Sequence, residues 1–68
     1  MHVICTAVLD NLLQRDNLCQ CIEIVGGVPI VARNTVCVEY SGDDQVAEKL
    51  IELFEQYCRH EIKVLKGG

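Results

Sequence analysis

Residues 41–60, SGDDQVAEKLIELFEQYCRH, constrain this chain more than any other stretch. The apolar positions Val46, Ala47, Leu50, Ile51, Leu53, Phe54, Tyr57 and Cys58 recur at the three- and four-residue spacing of one helix face. Gln45, Glu48, Lys49, Glu52, Glu55, Gln56 and Arg59 make the opposite, polar face. Ser41-x-x-Asp44 reads as a capping box with Asp in the place usual for Glu or Gln. Asp43 and Asp44 suit the positive end of the helix dipole, and Glu55 and Arg59 stand four residues apart as a favourable pair. A helix this amphipathic must lay its apolar face on another layer of structure.

The preceding residues supply that layer. Thr35–Ser41 alternates, with Val36, Val38 and Tyr40 on one face and Thr35, Cys37 and Glu39 on the other. Val28–Arg33 reads as a strand with Pro29 at its start or on an edge, and Asn34 marks a turn. Leu18–Val25, rich in β-branched residues and Cys, reads as another strand. Gly26-Gly27 between these two strands fits a type I′ hairpin turn, which needs positive φ at both central positions. Val3–Arg15 carries apolar residues at 4, 5, 8, 9, 12 and 13, so residues 4–16 read as a helix, although Val3–Leu9 alone also fits a strand. Glu61–Leu65 is a short final strand or a tail. The expected class is α+β: a three- to four-stranded antiparallel sheet packed by the amphipathic C-terminal helix, in the order α-β-β-β-α with or without a last strand. An all-α arrangement is the alternative. The stripe of residues 46–58 is expected to cover Val36, Val38 and Tyr40.

With 68 residues the chain reads as a single domain over 1–68. A domain of this size buries only about 60% of its unfolded surface. Half of its residues are apolar and its mean hydropathy is +0.21. One copy cannot hide so much apolar surface, so a protein partner is expected, most simply a second copy in a homodimer. Net charge is −4. Arg15, Arg33, Lys49, Arg59, Lys63 and Lys66 are scattered, which argues against nucleic-acid binding. No apolar run approaches the roughly 18 residues of a membrane span. Met1–Leu9 has neither a basic start nor a cleavage pattern, so a reducing, cytoplasmic setting is expected. The five cysteines at 5, 19, 21, 37 and 58 then read as small hydrophobes rather than a disulfide framework.

Three local resemblances add expectations. The order α-β-β-β-α is similar to that of the double-stranded RNA-binding domain. That family contacts RNA through basic residues around its last helix, whereas Gly42-Asp43-Asp44-Gln45 is acidic here, which speaks against the activity. Cys21–Val31, CIEIVGGVPIV, and Ser41–Leu50, SGDDQVAEKL, resemble parts of an armadillo repeat, which implies the all-α alternative; about three such repeats are needed for stability. The ending Lys63-Val64-Leu65-Lys66-Gly67-Gly68 resembles the ubiquitin-like sulfur-carrier and conjugation proteins. That resemblance implies an acyl carrier working through Gly67 and Gly68, whose missing side chains let them enter a narrow channel.

Catalytic groupings are not apparent. His2 and His60 are far apart, and Cys58 with His60, two residues apart, do not share a helix face. Gly26-Gly27 opens no helix, as a phosphate-binding loop would. Cys19-x-Cys21 is the only close thiol pair and a weak candidate for a metal or redox site. No cofactor is expected. The leading expectation is a small non-catalytic interaction or regulatory module that self-associates. Such acidic proteins are common among phage and mobile-element antagonists of host machinery. Its contact surface would be Thr35, Cys37 and Glu39 or the acidic strip Glu48, Glu52 and Glu55. The Gly-Gly carrier and the Cys19/Cys21 site are the alternatives.

Overall fold

The computed structural model describes residues 1–65. Its elements are β1 (His2–Val8), α1 (Leu12–Val25), β2 (Ile30–Ala32), β3 (Thr35–Ser41), α2 (Asp44–Glu55) and β4 (His60–Leu65). They build one four-stranded sheet in the order β2-β3-β1-β4, antiparallel at every pairing. Each helix connects two strands that are not neighbours: β3 lies between β1 and β2, and β1 lies between β3 and β4. Two such interleaved βαβ units define the ferredoxin-like arrangement. The α+β class and the antiparallel sheet under an amphipathic C-terminal helix are as expected. The all-α alternative is overturned by the four strands, and the order β-α-β-β-α-β replaces α-β-β-β-α.

The largest differences fall in the first 27 residues. Residues 4–8 are strand, and the helix starts at Leu12. Asn11 sets that start: its side-chain oxygen accepts from the Leu13 and Gln14 amides at 2.8 and 3.3 Å. Leu18–Val25 continues α1 and is not a strand, because Leu18 and Ile22, one turn apart, are the helix's two fully buried residues. Gly26 and Gly27 are not a hairpin turn. Gly26 ends α1 in the left-handed region at φ 116. Its amide donates to the Glu23 carbonyl at 3.2 Å, and the Gly27 amide donates to the Ile22 carbonyl at 2.9 Å. This is a Schellman ending, which satisfies the helix's last carbonyls.

The later elements follow the sequence pattern closely. Val36 and Val38 of β3 face inward and are fully buried, beside Val3, Cys5 and Ala7 of β1. Ala47, Leu50 and Phe54 of α2 close over them. Tyr40 is half-buried, and its hydroxyl accepts from the Asp43 amide at 3.1 Å, tying the end of β3 to the start of α2. Asp43, not Ser41, caps α2: its carboxylate accepts from the Gln45 amide at 2.7 Å. Because α2 ends at Glu55, Arg59 does not sit on the helix, and its guanidinium lies 3.7 Å from Asp10 instead of pairing with Glu55. Among the described residues no helix is long and apolar enough to cross a membrane.

Candidate functional site

Strand alternation decides what each sheet face carries. The inward residues Val3, Cys5, Ala7, Val36 and Val38 meet both helices in the core. Among the described residues no helix lies over the other face. It shows His2, Ile4, Thr6 and Val8 from β1, Thr35, Cys37 and Glu39 from β3, and Glu61 and Lys63 from β4. The register sets Cys37 beside Thr6 and Thr6 beside Glu61; one pairing further along, Glu39, Ile4 and Lys63 share a row. Ile4, Thr6, Val8, Thr35 and Cys37 are half-buried by their neighbours, so the face has an apolar centre and a charged margin. The Thr6 hydroxyl donates to the Cys37 sulfur at 3.8 Å. His2 Nε2 lies 2.8 Å from Glu39 Oε2, and Lys63 Nζ lies 3.8 Å from Glu61 Oε1.

Thr35, Cys37 and Glu39 therefore stand together on an uncovered face, on the wet side of their strand as expected. The acidic strip Glu48, Glu52 and Glu55 is exposed on α2. Its helix turns Ala47, Leu50 and Phe54 toward the sheet, so the strip points away from it. The two candidate surfaces occupy opposite sides of the molecule, and one flat contact cannot use both.

Cys19 and Cys21 lie on α1 rather than on a strand. Residues two apart on a helix leave it in diverging directions; Cys19 is half-buried and Cys21 exposed. Burial pushes the Cys19 thiol up, with the nearby Asp16 carboxylate adding to it. Among the described residues no group of three His, Cys, Asp or Glu side chains is placed to hold a metal ion. All five thiols are free. Cys5 is buried in the core, and its thiol is pushed up to about 11, chiefly by burial. Gly67 and Gly68 lie outside the described residues.

Two features were not singled out from sequence. One is a cleft of about 420 Å³ at the end of the sheet where β1 runs into α1 and α2 runs into β4. Asp10 and Arg59 stand at its wall with Tyr57 and Cys58. Burial raises the Tyr57 hydroxyl, with Cys21 contributing. The His60 ring is engaged by the Tyr57 carbonyl. The cleft joins two loops some 48 positions apart in sequence, so no local pattern announces it. The other is the β2 edge, where Ile30, Val31 and Ala32 are all exposed.

No protein-family model matches this sequence, and no curated protein matches it.

Proposed function

We propose that this protein is a small non-catalytic interaction module that self-associates and presents its open sheet face to a protein partner, acting as a regulator or antagonist of that partner. The observation that carries the proposal is the bare sheet face. Helix packing covers one side of a four-stranded sheet and leaves the other with a largely apolar centre, Ile4, Thr6, Val8 and Cys37, inside a polar margin of His2 and the charged Glu39, Glu61 and Lys63. An apolar centre with a polar rim is the anatomy of a protein–protein contact. Thr35, Cys37 and Glu39 are the residues we assign to it. The net charge of −4 favours a partner with a basic surface.

Site-specific photo-crosslinking tests this reading. A photoreactive residue at Thr35, on the open face, is expected to trap one discrete protein in the native host, while the same residue at Gln20 on α1 traps none. The purified partner should then bind the free protein, and Glu39→Lys should weaken that binding. A protein that cross-links equally from both positions, or binds Glu39→Lys unchanged, refutes the assignment of the open face.

A further inference from the structure

The two edges of the sheet are built differently. An exposed edge strand invites pairing by another chain, and proteins guard such edges with charge. The β4 edge carries His60, Glu61 and Lys63. The β2 edge carries no charged side chain; Ile30 and Val31 are 60% and 43% exposed on it, and Val28, two residues before it, is 75% exposed. No strand lies beyond β2 among the described residues.

We infer that β2 pairs with β2 of a second copy, antiparallel about a two-fold axis at Val31, joining two sheets into one of eight strands. This deepens the proposed function and rests on its reading of the protein as a self-associating module. Three observations select a second copy as the occupant. A two-fold contact sets a surface against itself, so on a chain of net charge −4 it must avoid carboxylates near the axis. The segment 24–32, IVGGVPIVA, contains no charged residue. Centring on Val31 also sets the large Ile30 of each copy against the small Ala32 of the other on the open side, and Val31 against Val31 on the helix side, a fit of large to small across the pair. Pro29, which has no amide hydrogen, limits the ladder to the three residues of β2. That explains how so short and apolar an edge can pair once without templating further growth. The dimer would align the open faces of both copies on one side, giving a partner a doubled surface.

The test is sedimentation equilibrium of the full chain in reducing buffer, from low micromolar to near-millimolar concentration. Wild type is expected to show a monomer–dimer equilibrium. Ile30→Lys, which sets a cation beside the axis twice per dimer, should weaken it about a hundredfold. Gln20→Arg, on the exposed side of α1, should leave it unchanged. Hydrogen exchange on wild type gives a reading without substitution: the amides of residues 30–32 should slow as concentration rises. A wild type that stays monomeric throughout, or a dimer that survives Ile30→Lys with unchanged exchange at 30–32, overturns the β2 pairing. A dimer lost with Gln20→Arg and kept with Ile30→Lys overturns it too, while leaving the interaction reading intact. The interaction reading fails separately, on the cross-linking result at Thr35.

Discussion

Gly27 lies where the end of α1 meets the sheet and α2. A methyl group built on its Cα would stand 2.9 Å from Ile22 Cγ2, 3.1 Å from Val38 Cγ2 and 3.3 Å from Leu50 Cδ2. Carbon atoms in good contact sit about 3.5–4.0 Å apart. All three neighbours are fully buried, and Ile22 and Val38 are β-branched. Their Cγ2 atoms sit directly on Cβ, so they retreat only if χ1 or the backbone moves. Forcing a methyl into a filled core costs about 1–3 kcal/mol. Restricting the unfolded chain returns about 0.4–1 kcal/mol, so at the middle of both ranges Gly27→Ala should destabilise by about 1.3 kcal/mol. In a domain of this size that is a fall in Tm of about 5–10 °C. Gly26→Ala makes a contrast. A methyl there meets nothing within 4 Å, and the cost comes from the backbone at φ 116, about 1–2 kcal/mol. Urea unfolding followed by circular dichroism measures both. Ile22→Leu, which moves the branch away from Cβ, should recover stability in the Gly27→Ala background and not in the Gly26→Ala background, a coupling read from a double-mutant cycle. Gly27→Ala within about 0.3 kcal/mol of wild type, or equal recovery in both backgrounds, would refute the close approach.

Leu50→Asp buries a carboxylate against Val38, Ile22 and Phe54 without a partner and should leave the domain unfolded; a wild-type circular dichroism spectrum from this variant would contradict the packing. Asn11→Ala removes the cap of α1 and should cost about 0.5–2 kcal/mol in urea unfolding, with no change in the m-value. Arg33 holds φ 58, a left-handed conformation that disfavours a large side chain. Arg33→Asn should therefore raise Tm by a few degrees, since among the described residues Arg33 hydrogen-bonds through its backbone carbonyl alone, accepting from the Arg15 guanidinium at 2.9 Å. The Cys5 thiol is pushed up to about 11 from 9.0, so the folded state holds its proton more tightly than the unfolded state. Its stabilising contribution is complete below pH 9 and is lost as pH rises toward 11; the stability of Cys5→Val should fall less over that window than that of wild type, and at pH 8 alkylation should reach Cys21 and Cys58 before Cys5.

The open face illustrates what a pattern can place. Alternation in Thr35–Ser41 put Thr35, Cys37 and Glu39 on one side from the sequence alone, because a strand has only two sides. What the pattern could not supply is the neighbours: His2 beside Glu39, Thr6 beside Cys37 and Lys63 two strands away come from register between distant segments. The β2 edge was only half legible: Pro29 offered a strand start or an edge for Val28–Arg33, and the choice between them is a property of the sheet order.

By itself the sequence determined β3 and the body of α2, though not the helix's ends: the apolar pattern runs on through Tyr57 and Cys58, whereas α2 stops at Glu55. Their periods of 2 and 3.6 are long, uninterrupted and mutually consistent, and each buries the face its pattern marks. Tertiary structure decided the first 27 residues. Val3–Leu9 and Leu18–Val25 are short apolar runs that local preference assigns either way. β1 becomes a strand because it is central, paired on one side with β3 and on the other with β4, partners that begin 33 and 58 residues after it starts. With the sheet's centre so filled, Leu18–Val25 has no place in it. It serves instead as the helix that carries the chain from β1 to β2, burying Leu18 and Ile22 beneath it and ending where Gly26 turns and Gly27 lets the core close.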